Sequence, residues 1–249
     1  MDAGEQRPFV LSGGGVRGVA HLGVLRALAE AGIVPGAISG TSAGALVGAL
    51  VADGYSPREV LELVLPELRR TSLIRRRALA STRIRDFLGQ ALRHRHFEEL
   101  RIPLFVSATN LEKGGQHVIA SGELLPALMA SCAIPLVFPP VMVNGVYHVD
   151  GGLSNNLPVE PFIDRLDRVV AVHVNPLPAF DPSKRGVVRT MVRIWHLNFR
   201  EMVMRSAQGC HLFIEPPGLA RFNMFEIGKA QAIEEIGYGW AWHMLGRPV

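Results

Sequence analysis

Three glycine motifs constrain this chain more than any other feature, because each follows directly on a short apolar run. Gly13-Gly14-Gly15-Val16-Arg17-Gly18 comes after Phe9-Val10-Leu11. Gly40-Thr41-Ser42-Ala43-Gly44 comes after Ala37-Ile38-Ser39, and Asp150-Gly151-Gly152 after Val146-Tyr147-His148-Val149. Each reads as the C-terminal end of a strand, where glycine lets the backbone turn sharply and lets another group come close. By composition, G-G-G-x-R-G is expected roughly 0.003 times by chance, a strong signal, whereas G-x-S-x-G and D-G-G alone are weaker.

Helical periodicity follows the first two motifs. Val16, Val19, Ala20, Val24, Ala27, Leu28 and Ala31 recur at helical spacing, with Gly32 as the C-cap. A second apolar helix runs to about Ala52. Ser56-Pro57-Arg58-Glu59 is a capping box with Pro at the first helical position, opening a helix to about Leu68. A helix is expected around Ile84 to Leu92, strands at Leu104–Ala108 and Gln116–Ala120, and a helix at Glu123–Ser131. Asn144-Gly145 marks a hairpin between Val141–Val143 and Val146–Val149. A buried strand over Arg168–Val174, an amphipathic helix over Val187–Ser206 with Arg189, Arg193 and Arg200 on its polar side, a strand at Leu212–Ile214 and a last helix over Glu226–Leu245 complete the chain. Strands alternating with helices predict a single domain over residues 1–249. Its fold class is α/β, a three-layer α/β/α sandwich with a largely parallel central sheet.

Composition narrows the class. At 249 residues and 48% hydrophobic, the chain can bury a large core and is not disordered. Two cysteines, Cys132 and Cys210, cannot supply a disulfide framework or a cysteine zinc site, so no metal is expected and a reducing compartment suits the chain. Met1–Pro8 lacks an apolar run before a small-residue cleavage site, so no secretory leader is expected. Between Glu30 and Asp53 the chain is uncharged, with Gly36, Gly40, Gly44 and Gly48 at four-residue spacing, which imitates a membrane-packing stripe. Pro35 and Ser39-Gly40-Thr41-Ser42 interrupt it, and a strand, turn and buried helix explain it better. Arg69 to Arg95 holds nine arginines and one acid, Asp86. That segment suits an anionic membrane surface or a solvated helical face; without interleaved aromatics, nucleic acid is not expected.

The motifs carry chemistry. Ser42 in G-x-S-x-G has the spacing of a nucleophile elbow, a strained turn that exposes the hydroxyl while Gly40 and Gly44 prevent clashes. An ordinary N-cap serine is the alternative. Gly13, Gly14 and Gly15 can turn backbone N–H groups toward an oxyanion. Gly13, Gly15 and Gly18 also fit G-x-G-x-x-G, but no acid lies between Glu30 and Asp53 to hold a ribose, which argues against a dinucleotide site. Asp150, flanked by Gly151 and Gly152, can act as a base or orient a histidine; an Asp-Gly turn is the alternative. His173 is the histidine best placed for a triad, or a core histidine; His196 and His211 look helical and strand-initial.

In their order and intervals the three motifs resemble those of patatin-like phospholipases of the compact bacterial single-domain kind. The resemblance covers about residues 8–215; the C-terminal helix, about 226–245, is less diagnostic. It implies a Ser–Asp dyad, with Ser42 as nucleophile and Asp150 as its base. It implies an oxyanion hole of Gly13, Gly14 and Gly15, with Arg17 ordering the loop and Gly18, Gly40, Gly44, Gly151 and Gly152 supporting the motifs. It implies phospholipase A or lysophospholipase action on lipid esters, and no cofactor is expected; with no leader or span expected, such an enzyme is placed in the cytoplasm, peripherally at the inner membrane surface if the basic segment meets lipid. A thioesterase, a small-ester esterase and a non-catalytic lipid-binding regulator are the alternatives.

Overall fold

The computed structural model describes residues 4–72, 77–180, 186–224 and 226–247. Eight strands form one sheet in the order β5-β6-β3-β2-β1-β7-β8, with β4 against β3. β1 (Glu5–Leu11), β2 (Ile33–Thr41), β3 (Leu104–Asn110), β7 (Val170–Val172) and β8 (Leu212–Ile214) run parallel. β4 (Gln116–Ile119), β5 (Val141–Val143) and β6 (Val146–Asp150) add an antiparallel edge. The β5–β6 turn places Asn144 and Gly145 both at positive φ, as a tight hairpin requires.

Alternation along the central strands divides the core. Phe9, Leu11, Val170 and Val172 face one side; Val10 and Ala171 face the other. The larger side is covered by α1 (Ala20–Glu30), α2 (Ala43–Ala52), α3 (Pro57–Ser72), α5 (Leu124–Ser131) and α7 (Ala230–Met244). The thinner side is covered by the irregular segment Glu160–Arg168 and the C-terminal end of α6 (Val187–Ala207), through Phe162, Val203 and Ala207. The chain is thus a three-layer α/β fold with a mixed, mostly parallel sheet.

Several boundaries differ from expectation. The first helix is preceded by a tight 3-10 turn, Gly15–Val19, because Gly15 sits at φ 57° and Arg17 N–H bonds back to Gly14 O. The buried strand contracts to Val170–Val172, and the last helix starts at Ala230 after a 3-10 turn at Ile227–Lys229. The basic segment forms α4 (Arg77–Ala91), longer than expected; residues 73–76, with Arg75 and Arg76, lie outside the described residues.

The uncharged stretch holds a strand and a helix. Gly36 and Gly40 lie on β2; Gly44 and Gly48 lie on α2 against the sheet, where a Cβ on Gly48 would come within 2.8 Å of Ile38 Cγ2. Among the described residues no helix is long and apolar enough to cross a membrane.

The polarity of α6 is reversed from expectation. Arg193 donates to Pro178 O at 2.6 Å and Arg200 pairs with Glu215, both turned toward the protein. Val187, Met191, Ile194 and Leu197 face solvent instead. Arg189 lies outside the residues whose side chains are described.

Candidate active site

The carboxyl ends of the parallel strands carry the site. Ser42 follows β2 directly at φ 51°, ψ −121°, a conformation that costs a non-glycine residue about 1–3 kcal/mol. The neighbourhood over-determines it. Ser42 N–H donates to Ser131 Oγ at 2.8 Å, and Ser131 Oγ–H donates to Ser107 O at 2.6 Å. Gly44 lies so close to Leu11 O that a Cβ would collide. On Gly40, a Cβ would come within 2.7 Å of Ala45 N, and on Gly18 within 2.5 Å of Ala43 Cβ. These glycines let β1, β2 and α2 meet at the elbow.

Asp150 ends β6, opposite Ala108 on β3. Its N–H donates to Ala133 O at 3.0 Å, and Thr109 Oγ1 donates to Asp150 O at 2.9 Å. Gly151 then passes Ser107 O with no room for a side chain. The carboxylate accepts from Gly152 N–H at 2.8 Å, and Asp150 and Ser42 line the same cavity. Both residues are buried, Ser42 7% and Asp150 8% exposed. Burial pushes the Asp150 carboxyl up to about 6, against the opposing pull of the Gly152 N–H bond and the neighbouring Ser42 hydroxyl.

The first motif lies alongside. A Cβ on Gly13 would come within 3.2 Å of Ser42 Cβ. Gly13 N–H donates to Asn156 O at 3.3 Å, so one of the three glycine amides already has an acceptor. Arg17 fixes the loop from outside. Its Nε donates to Phe222 O at 2.9 Å, its Nη2 to the same oxygen, and its Nη1 to Asn175 Oδ1 at 3.4 Å. Asn175 Nδ2 in turn donates to Gly13 O at 2.5 Å.

A cavity of about 380 Å³ opens over Ser42, Asp150 and Gly13–Gly15. Ile134, Leu136, Leu153, Leu177, Phe199 and Met224 make its wall largely apolar.

The histidines are disposed differently. His173 is buried and lines the cavity, but its Nδ1 bonds Glu215 Oε1 at 2.7 Å, and Glu215 also takes Arg200. His196 lines the same cavity from α6, and His211 begins the turn into β8. His21 is fully buried with Nε2 2.8 Å from Ser12 O; burial lowers its pKa to about 4, so it is neutral. Asn156 and Asn175 were not expected at the site. Burial first, then Asp150, pushes the Cys132 thiol up, so it stays protonated. Among the described residues no cluster of His, Cys, Asp and Glu could hold a metal ion.

A mostly parallel α/β sheet thus carries a serine on a strained strand-to-helix turn and a buried carboxylate in one largely apolar cavity. The patatin-like phospholipase sequence model matches residues 9–163, and the chain belongs to that family. It is 27% identical to Lysophospholipase NTE1 of Kluyveromyces lactis over 98% of this chain and 19% of that protein. It is 34% identical to an uncharacterized NTE family protein of Mycobacterium tuberculosis over 67% of this chain and 48% of that one. The chain thus spans about half or less of the length of these curated relatives. The crystal structure of VipD from Legionella pneumophila superposes with a TM-score of 0.56 at 14% identity, covering 98% of this chain and 67% of that one.

Proposed function

We propose that the chain is a serine acyl-ester hydrolase of lipid substrates, of phospholipase A or lysophospholipase type. The observation that carries this reading is that Ser42, on its strained turn, and a carboxylate that burial has made more basic line the same largely apolar cavity. A free aspartate, with pKa about 3.9, is a weak base toward a hydroxyl; desolvation narrows that gap. Ser42 Oγ attacks the ester carbonyl while its proton passes to Asp150. The amides of Gly14 and Gly15 face the developing oxyanion, with Gly13 joining if its bond to Asn156 O opens. Each such donor is worth about 2.7–4 kcal/mol. Asp150 then returns the proton to the departing alcohol, and water, activated by the same carboxylate, releases the acyl group from Ser42. The lysophospholipase named among the relatives, and the apolar wall, support a lipid acyl chain in the cavity.

The test is labelling with a fluorophosphonate, followed by mass-spectrometric turnover of a panel of phospholipids, lysophospholipids, thioesters and short esters. Wild type should be labelled and Ser42→Ala should not, and a lipid ester should turn over fastest. Absence of labelling in folded wild type would leave a lipid-binding protein without turnover; preference for a thioester or a short ester would redirect the substrate class.

A further inference from the structure

Three successive peptide planes present the N–H groups of Gly13, Gly14 and Gly15, and each plane must be turned the right way to serve an oxyanion. Across a trans peptide the C=O of one residue and the N–H of the next point in opposite directions, so gripping the carbonyl aims the amide. The Ser12–Gly13 plane is tied at both ends: His21 Nε2 bonds Ser12 O at 2.8 Å, and Gly13 N–H donates to Asn156 O at 3.3 Å. The Gly14–Gly15 plane is held by the 3-10 turn, where Arg17 N–H donates to Gly14 O at 3.2 Å. The middle plane, Gly13–Gly14, depends on a side chain from far along the sequence: Asn175 Nδ2 donates to Gly13 O at 2.5 Å. Among the described residues the N–H groups of Gly14 and Gly15 bond no acceptor. A peptide between two glycines rotates with little steric hindrance, and a flip would put a carbonyl dipole where the amide should be.

We infer that Asn175 is a positioning residue of the oxyanion hole: by gripping Gly13 O it aims the Gly14 amide, and Arg17 acts on the hole through it. The Asn175 side chain has a donor end and an acceptor end. Arg17 Nη1 donates to its Oδ1 at 3.4 Å, which leaves the donor end, Nδ2, for Gly13 O. The guanidinium charge polarises the amide and strengthens that donor. Packing reinforces the bond. A Cβ on Gly14 would lie 3.3 Å from Asn175 Oδ1 and 2.4 Å from Val174 Cγ2, so the loop rests directly on this segment. The sheet in turn anchors the segment. β7 pairs Val172 with Leu11, Ser12 N–H donates to Val172 O at 3.0 Å, and Val174 N–H donates to Ser12 Oγ at 3.1 Å, which brings Asn175 alongside Gly13 and Gly14. Asn175 lies beyond residues 9–163, so this part of the hole is supplied from outside the segment that the family pattern matches.

This inference rests on the acyl-hydrolase reading, and one experiment separates the two. Wild type, Asn175→Ala and Asn175→Asp are compared in thermal melting, p-nitrophenyl butyrate hydrolysis, rate of fluorophosphonate labelling and the amide NMR signal of Gly14. Asn175→Asp keeps an acceptor for Arg17 but offers Gly13 O no donor, so a merely structural tether would survive it. An oxyanion donor accounts for about 10²–10³ in kcat. Both variants should therefore lose at least about tenfold in kcat and in labelling rate, with KM little changed, in protein that still melts cooperatively. In wild type the Gly14 amide proton should move downfield when the phosphonate adduct forms on Ser42; in the adducts of the variants it should not. Asn175→Asp labelled at the wild-type rate, a loss of activity carried by KM alone, or a Gly14 signal that the wild-type adduct leaves unmoved would each overturn the inference while the hydrolase reading stands. Should neither variant fold, the Gly14 signal of the wild-type adduct still decides. Folded wild type that is never labelled would remove the hydrolase reading itself, and the oxyanion role of Asn175 with it.

Discussion

Asp150 meets opposing demands at the scale of one residue. Its folded-state pKa of about 6 lies above that of an unfolded aspartate, so protonation favours the folded state. That contribution is present in full below about pH 4 and is lost as pH rises through 6. Two pKa units correspond to about 3 kcal/mol. Asp150→Asn should therefore melt about 5 °C or more above wild type at pH 8, with the difference closing toward pH 4, while hydrolysis is nearly abolished. Scanning calorimetry across that range checks it; a variant less stable than wild type at pH 8 would contradict it. The same titration predicts that kcat/KM in wild type rises with pH through about 6, as the carboxylate becomes able to accept the Ser42 proton.

Ser131 and His173 give contrasting expectations at the same scale. Ser131 Oγ holds the Ser42 amide and caps Ser107 O in one buried hydroxyl. Ser131→Ala strands both groups at about 1–3 kcal/mol and loosens the elbow, so fluorophosphonate labelling should slow about tenfold or more in a protein that still folds. His173 is committed to Glu215. His173→Ala should lower the melting temperature yet keep most of the activity. Inactive, folded His173→Ala beside active Asp150→Asn would replace the dyad with a triad.

Elements meet here through backbone contact. α1 and α7 cross so closely that a Cβ on Gly23 would strike Glu234 O, and one on Gly237 would strike Ala20 O. Because both obstacles are backbone, the helices must separate to admit a methyl group. Gly237→Ala should cost at least about 1–3 kcal/mol, visible as a lower urea midpoint with an unchanged slope. By contrast Gly89→Ala on α4 meets nothing within 4 Å and should be neutral or stabilising.

The whole molecule is larger than the segment its family pattern covers. β7 pairs with β1 in the middle of the sheet, and β8 pairs with β7. A chain cut after residue 163 would keep every glycine motif but leave the apolar edge of β1 open and α1 without α7. Such a chain should be insoluble or lack a cooperative unfolding transition; a soluble, cooperatively melting fragment would show that the C-terminal strands are dispensable to the core.

The sequence by itself determined the motif-bearing turns and most helices and strands, because those depend on local spacing. Glycines after apolar runs mark where strands end, and period 3.6 or 2 marks which face is buried. Tertiary structure alone decided what surrounds the nucleophile. Ser131 reaches Ser42 across 89 positions and Asn175 reaches Gly13 across 162, and neither side chain carries a local signal. It also decided the orientation of α6. Arginines on an apolar helix read as the solvent face, yet Glu215 and Pro178 O supply partly buried partners that turn Arg200 and Arg193 inward and leave the apolar stripe outside. A helix's polar side faces water only when the fold offers those charges nothing better, and that offer comes from residues distant in the chain.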